Sequence, residues 1–170
     1  AWQSADIFCS LSDNIQETFG ITPIEAMAAG LPVVVSDWDG YKDSVRDGVD
    51  GFRVPTTMPL AGLGNDLAAR HALGIDTYDM YCGHTSSLIS VEVKSAAKAF
   101  IALINDANLR VRMGESGQKR VKDVYDWGKI IPRYERLWAE LTEIRVSSGP
   151  GASKKKSQRW PARMDPFLSF

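Results

Sequence analysis

Cysteine and histidine are both scarce in this chain, whose 170 residues include only two of each. Two cysteines cannot frame a fold with disulfides, and Cys9, which lies in an apolar run, is expected to be a small buried side chain. Neither Cys82 nor the two histidines, His71 and His84, stand at the spacing of a zinc site. The histidines are therefore expected on the surface or between packed helices, and no metal ion is predicted.

The chain also has no large excess of positive or negative charge and no long apolar run. The 20 Lys and Arg residues nearly balance the 21 Asp and Glu residues, and the net charge of -1 argues against a nucleic-acid-binding protein. No apolar run approaches the roughly 18 residues that would cross a bilayer, and the first residues lack the basic and apolar regions of a secretory signal. With so few cysteines, these absences lead us to expect a cytoplasmic protein.

The chain is nevertheless rich enough in apolar residues, at 44%, to build a core. Residues 6–12, 31–36 and 51–55 are predicted strands, with a helix from Thr22 and a short helix over residues 42–46 between them. Strand and helix in alternation are typical of a parallel sheet with helices on its faces. We therefore predict a Rossmann-like α/β fold, in which short parallel strands are followed by a mostly helical carboxyl-terminal half.

Beyond the strands, helical patterns predominate. Residues 1–145 are predicted to form one domain, in which residues 56–90 carry a weaker helical signal. The longest apolar stripe at helical spacing is expected to lie in the core and consists of Tyr134, Leu137, Trp138 and Leu141. Residues 146–170 are predicted to be a flexible linker and tail, because Ser, Gly and Lys replace the periodic pattern. The aromatic residues within 160–170 either dock on the domain or begin a further segment.

The segment over residues 12–30 is the most informative about chemistry. It leads from the carboxyl end of a predicted strand into the N-terminus of a helix, the place where open α/β sheets bind ligands. The amides of Gly20, Ile21 and Thr22 would have no partner within the helix, and with the helix dipole they would attract an anion such as phosphate. Glycine at position 20 also allows a phosphate to approach the backbone closely.

Two acids flank this turn, and each has two interpretations. Glu17 could accept hydrogen bonds from sugar hydroxyls, and Glu25 from the adjacent hydroxyls of a ribose. Alternatively, Glu17 is an ordinary loop residue, and Glu25 belongs to a capping box with Thr22 as the N-cap and Pro23 as the first helical residue. On either interpretation, Glu25→Ala is expected to destabilise the start of the helix by about 1 kcal/mol.

The longer string that contains both acids resembles a family signature. Residues 17–25 read Glu-Thr-Phe-Gly-Ile-Thr-Pro-Ile-Glu, with seven residues between the acids, and residues 26–36 continue as Ala-Met-Ala-Ala-Gly-Leu-Pro-Val-Val-Val-Ser. This string is similar to the Glu-x7-Glu signature of glycosyltransferase family 4 (group 1), the retaining enzymes of the GT-B fold. Gly40, residues 47–55 and residues 125–127 resemble later landmarks of the same family.

The resemblance extends over residues 5–141 and implies that the chain is the second half of the Rossmann-like C-terminal domain, which binds the donor. The donor would be a nucleotide-diphosphate sugar, which is a substrate, and no cofactor is implied. The implied donor-binding residues are Glu17, Phe19, Gly20, Ile21, Thr22 and Glu25. Glu17, the implied catalytic residue, would orient the sugar beside amides that bind the diphosphate, and Glu25 would bind the ribose.

The chain departs from the family pattern in two places. Residues 56–90 stand where the family has a short link, and they are predicted to be a helical insertion. The family's N-terminal domain and the beginning of its donor domain have no counterpart here. We therefore expect this chain, which begins with Ala1, to be a piece of a longer protein and to be inactive by itself. A glycan, lipid or other acceptor would bind the N-terminal domain.

Other interpretations stay open. The chain could belong to a GT-B-like epimerase or phosphorylase, or it could be a non-catalytic domain that binds a nucleotide sugar or a protein partner. Asp37-Trp-Asp39 resembles the metal-binding Asp-x-Asp motif of the other large glycosyltransferase fold, but we interpret it as loop polarity. The three lysines at positions 154–156 are interpreted as a solvated linker, with peripheral association with a membrane as the alternative.

Overall fold

The computed structural model describes residues 2–148 and 164–169. Its centre is a three-stranded parallel sheet, whose strands follow one another across the sheet in chain order. The strands are β1 (Phe8–Ser10), β2 (Val33–Ser36) and β3 (Gly51–Val54). The predicted α/β class and the three parallel strands are therefore confirmed, although the strands are shorter than the apolar runs that predicted them.

Helices make up most of the remaining described residues. In chain order they are α1 (Ile21–Ala28), α2 (Tyr41–Ser44), α3 (Asn65–Ala72), α4 (Tyr78–Ser86), α5 (Val93–Asn105), α6 (Ala107–Arg120), α7 (Trp127–Ser147) and α8 (Pro166–Ser169). A 3₁₀ turn, Trp2–Ser4, precedes β1, and a π-helical turn, Val121–Tyr125, joins α6 to α7. The predicted helical carboxyl-terminal half is thus present.

The core lies on both faces of β2. All four residues of this central strand are buried. Val33 and Val35 pack on one face with Met27 of α1 and Tyr41 of α2, whereas Val34 packs on the other face with Leu103 of α5. Successive side chains of a strand point to opposite faces, so a strand that is covered on both sides needs apolar residues at every position.

Cys9 corrects one expectation, because it is exposed and not buried. It lies in the middle of β1, which pairs with β2 at one edge and has no strand on its other edge among the described residues. An apolar run identifies a strand, but the number of elements that cover the strand decides which of its side chains are buried.

The two ends of the segment over residues 56–90 lie side by side. β4 (Thr56–Thr57) pairs antiparallel with β5 (Ser90–Val91), and α3 and α4 lie between them. Cys82 is buried, the His71 ring stacks on Tyr81 with 5.2 Å between centroids, and His84 is exposed. The histidines therefore occupy the helix-packing and surface positions expected of them.

The apolar stripe of α7 also differs from the prediction, because it is not in the core. Tyr134, Leu137, Trp138 and Leu141 are all exposed, and α7 has no buried residue. Helical spacing shows that one face is apolar but does not show what covers that face. Within the described residues, no helix is both long and apolar enough to cross a membrane.

The carboxyl-terminal residues divide into two parts. Of the linker and tail predicted over residues 146–170, the first two residues belong to α7, which continues to Ser147, and residues 149–163 lie outside the described residues. Beyond it, α8 docks on the domain and buries Phe167 to 2% exposure. Of the two alternatives for residues 160–170, docking is the one that the described residues adopt.

A buried carboxylate ties the loop before β3 to α6. The side chain of Asp50 is fully buried, and Arg46 donates to both of its oxygens at 2.6 and 2.9 Å. Ser116 of α6 donates to the same carboxylate at 3.0 Å. Burial by itself would raise the pKa of Asp50, but the hydrogen bonds from Arg46 and Ser116 and the charge of Arg46 hold it below its ordinary value.

We expect Asp50→Asn to lower the free energy of unfolding by about 2 kcal/mol, because the amide turns a donor toward the guanidinium. The folded pKa of Asp50 is depressed, so its contribution is complete above about pH 4 and is lost as the pH falls further. Urea unfolding of both proteins from pH 7 to pH 3 should therefore show a difference that shrinks at the acid end. Asp123→Asn, which removes an exposed i,i+4 pair with Lys119, is the control and should change little. A difference that is constant down to pH 3 would contradict the assignment.

Candidate functional site

The loop over residues 11–20 joins the carboxyl end of β1 to α1 and is anchored on the chain that follows β2. Ser36 donates from Oγ to the carbonyl oxygen of Ser12 at 2.5 Å. Trp38, which is 2% exposed, donates from Nε1 to the carbonyl oxygen of Asn14 at 3.0 Å. These contacts place the loop at the carboxyl edge of the parallel sheet, as the sequence predicted.

The helix α1 begins earlier than predicted, and the capping box is not formed. The N-cap is Gly20, with a φ of 71°, and no side chain caps the helix. Thr22 and Pro23 are already helical, and Glu25 is the fifth helical residue. Glycine adopts this left-handed conformation without a steric penalty, so the chain turns into the helix two residues early. A helix turns by about 100° per residue, so the shift of two residues places the Glu25 side chain roughly 200° around the helix axis from where a capping side chain would lie.

The backbone at this turn has the unpaired donors that the sequence predicted. Among the described residues, nothing accepts a hydrogen bond from the amides of Gly20, Ile21 or Thr22. The side chain of Ile21 is 63% exposed and Thr22 is exposed as well, so packing does not close the turn. Unpaired amides at the positive end of a helix dipole attract anions.

Glu17 is held by a tyrosine that the sequence analysis did not single out. The buried Tyr41 donates from its hydroxyl to Oε2 of Glu17 at 3.2 Å, and the same hydroxyl lies 2.8 Å from Oγ of Ser10. Burial, and then the charge of Glu17, raise the pKa of Tyr41, so the hydroxyl stays protonated and can donate. The available signal was an aromatic residue directly after Gly40, at the start of a short helix.

Asp39 places a second carboxylate close enough to Glu17 for their charges to interact. Its φ of 34° is the positive value of a non-glycine residue, a conformation that Asp tolerates better than most. Burial raises the pKa of Asp39, and the neighbouring charges of Asp43 and Glu17 raise it further, while Lys42 lowers it. Glu17 therefore lies in acceptor-rich surroundings, which suit hydroxyl donors such as those of a sugar.

Two glycines at this turn, Gly20 and Gly40, are required by close packing. A Cβ at Gly20 would overlap the ring of Tyr41. A Cβ at Gly40 would overlap the carbonyl oxygen of Thr18 and lie 2.5 Å from Cα of Phe19. Both glycines are therefore required by close approach, and they hold the backbone of the turn against α2.

Glu25 lies on a different side of the turn. It lines a groove of about 530 Å³ between α1 and the start of α7, together with Ile21 and Ile24. The far wall includes Tyr125 and Trp127, and the ring of Phe19 meets that of Tyr125 edge-on at 6.1 Å. Glu17 is not among the residues that line this groove, and its carboxylate is hydrogen-bonded to Tyr41 instead. The turn with the unpaired amides lies between the two acids in the chain.

The motif Asp37-Trp-Asp39 is used within the protein. Asp37 pairs with Arg53 of β3 at 3.5 Å, and Trp38 supports the loop as described above. In the part of the chain that the structure describes, no three His, Cys, Asp or Glu side chains cluster in a way that could hold a metal ion. The pairing of Asp37 agrees with the interpretation of this motif as loop polarity.

Comparison with known proteins connects this geometry to a family. Residues 1–61, which contain β1, α1, β2 and β3, match the sequence profile of the family described as Glycosyl transferases group 1. The phosphatidyl-myo-inositol mannosyltransferase of Mycolicibacterium smegmatis is 46% identical over 159 residues, which cover 92% of this chain and 32% of that protein.

Two further relatives have related names. The phosphatidyl-myo-inositol mannosyltransferase of Mycobacterium leprae is 31% identical over 153 residues, which cover 87% of this chain and 31% of that protein. An alpha-1,3/1,6-mannosyltransferase of Dictyostelium discoideum is 27% identical over 126 residues, 74% of this chain and 22% of that protein. The chain thus spans about a third or less of the length of these relatives.

Proposed function

Because its first 61 residues match the profile of the group 1 glycosyl transferases, we propose that this chain is the donor-binding part of a retaining glycosyltransferase. The full protein would transfer a sugar from a nucleotide-diphosphate sugar to an acceptor. The observation that carries the proposal is the turn at residues 20–22, whose amides are unpaired at the N-terminus of α1. Such amides are already oriented when negative charge develops on the departing diphosphate, so they stabilise it without reorganisation.

The two acids lie in separate surroundings, which counts against a compact shared site, so only a long ligand could contact both. A nucleotide-diphosphate sugar has hydroxyl groups at both ends and its negative charge in the middle. With the diphosphate on the amides of the turn, the sugar would reach Glu17 on one side and the ribose would reach Glu25 on the other. Glu17 would act by positioning the sugar, since it is already fixed by Tyr41. No nucleophile is assigned to this chain.

The names of the relatives favour one transferred sugar and one class of acceptor. Three of them are mannosyltransferases, which favours mannose as the transferred sugar. The phrase phosphatidyl-myo-inositol in two of the names favours a lipid among the possible acceptors. The acceptor would bind a part of the protein outside this chain. The chain by itself would therefore not catalyse sugar transfer. Residence in the cytoplasm, peripheral to a membrane, fits a lipid acceptor.

Titration calorimetry of the full-length protein with UDP and GDP tests the proposed function. Saturable binding of one nucleotide is expected, and it should be weakened by the corresponding nucleotide sugar in competition. Product analysis then separates the reaction classes, because a transferase forms a glycoside, an epimerase a free epimer and a phosphorylase a sugar phosphate. Binding of neither nucleotide would overturn the proposal and favour a non-catalytic domain.

Glu25→Ala separates binding from folding. Because Glu25 does not cap α1 and its side chain is exposed, the cost of about 1 kcal/mol expected for a capping box does not apply. We expect an unchanged melting temperature and a nucleotide affinity about 10-fold weaker, through the loss of a charged hydrogen bond to the ribose. Calorimetry of both proteins measures this. An unchanged affinity would remove Glu25 from the site.

A further inference from the structure

The carboxyl-terminal segment over residues 164–169 packs against the far side of the candidate site. Phe167, at 2% exposure, shares one hydrophobic cluster with Ile15 of the site loop and with Trp38. Tyr81 and Cys82 of α4 complete the contact from the other side. A residue close to the end of the chain therefore lies in one cluster with the loop that carries Glu17.

The docking is specific in shape and in hydrogen bonds. Asp165 is buried, and its carboxylate accepts hydrogen bonds from the amide of Gly62 and, at 2.9 Å, from the amide of Phe167. A Cβ at Gly64 would lie 2.6 Å from both Oδ1 of Asp165 and Cδ of Pro166. The chain at residues 62–64 is thus shaped to receive this segment, which seats Phe167 in a defined orientation.

Two hydrogen bonds to one carbonyl oxygen connect this cluster to Glu17, the candidate catalytic residue. The carbonyl oxygen of Asn14 accepts from Nε1 of Trp38 at 3.0 Å and from the backbone amide of Glu17, also at 3.0 Å. The next residue, Ile15, is 5% exposed and packs in the cluster. A displacement of Trp38 or Ile15 would therefore shift Asn14, and with it the backbone of Glu17.

We propose that Phe167 is a positioning residue of the donor site, which acts through Trp38 and Asn14 on the loop that carries Glu17. Its side chain fills the space behind Trp38 and Ile15, and protein interiors are packed closely enough that a vacated volume is felt by its neighbours. The effect on donor binding rests on the proposed function. The effect on the loop does not, since it follows from packing and hydrogen bonds alone.

Hydrogen exchange of the full-length protein tests the effect on the loop. We expect Phe167→Ala to raise the exchange rate of the hydrogen-bonded amides within residues 13–17, those of Gln16 and Glu17, about 10-fold and to leave β2 unchanged. Leu168→Ala is the matched control, because Leu168 is the adjacent residue and is 64% exposed. Should Phe167→Ala fail to fold, Phe167→Leu, which keeps an apolar side chain, takes its place with a smaller expected increase. Exchange that rises uniformly, or in α3 and α4 but not at residues 13–17, would overturn the proposal.

Nucleotide titration of the same variants tests the effect on the site. We expect Phe167→Ala to weaken binding of the nucleotide that the wild type prefers about 10-fold, and Leu168→Ala to leave it unchanged. If the wild type binds neither UDP nor GDP, the proposed function fails, and hydrogen exchange alone still decides whether Phe167 positions the loop. An unchanged affinity in a variant whose loop exchanges faster would overturn the assignment to the donor site.

Discussion

Glu17→Gln is expected to reduce sugar transfer by the full-length protein about 100-fold, with its melting temperature unchanged. Hydrogen bonds to a charged group contribute about 1.5–3 kcal/mol, and a 100-fold loss corresponds to about 2.7 kcal/mol. Glutamine has the same shape and retains an oxygen that can accept from Tyr41, so the loop should keep its conformation. Alanine would leave the buried hydroxyl of Tyr41 with Ser10 alone and would mix a folding effect with the binding effect.

Steady-state kinetics with the nucleotide sugar, at saturating acceptor, measures this effect. Gln16→Ala is the matched control, because Gln16 is exposed and uses its backbone amide, not its side chain, in its bond to Asn14. It should keep both kcat and KM. If Glu17→Gln retains full turnover, Glu17 does not contact the donor, and the proposed catalytic role is wrong.

Gly40→Ala is expected to lower the free energy of unfolding by about 3 kcal/mol and to weaken nucleotide binding as well. The added methyl group would meet backbone atoms of Thr18 and Phe19, which cannot turn aside as a flexible side chain would. Relief requires the turn to move away from α2, and this turn presents the unpaired amides. Stability and binding should therefore fall together in this variant.

Urea unfolding and calorimetry of the same preparation measure the two effects. Gly83→Ala is the matched control, because Gly83 is exposed in α4 and a Cβ there would meet no atom within 4 Å apart from its chain neighbours and the backbone of its own helix. Alanine should stabilise the helix at that position by about 0.5–1 kcal/mol. If Gly40→Ala is as stable as the wild type, the close approach of the two loops does not hold.

The parallel sheet was predictable because local chemistry determines it. Within residues 31–36, three β-branched valines stand in a row at positions 33–35, which is typical of a strand that is buried on both faces. Turn and helix signals between such runs leave few connections other than parallel ones. The unpaired amides at residues 20–22 followed from the same kind of local argument, since they require only a helix that begins after Gly20.

The start of α1 was predicted wrongly because two local signals compete. The spacing of Thr22 and Glu25 is that of a capping box, but Gly20 allows an earlier start in the left-handed conformation. The ring of Tyr41 occupies the place where a side chain at position 20 would lie, so the observed packing of this start requires glycine there. Tyr41 is remote in sequence, so the choice between the two starts was not a local matter.

By itself, the sequence determined the order of strands and helices, the α/β class and the position of a turn with unpaired amides before α1. Each of these depends on neighbours in the chain: the period of apolar residues, a glycine before a helix, and the place of the turn after a strand. Only the tertiary structure decided that Tyr41 holds Glu17, that Glu25 faces a separate groove, that the stripe of α7 is exposed and that Phe167 packs behind the site loop. These outcomes depend on which surfaces meet, and a periodic pattern identifies an apolar face without identifying the surface that covers it.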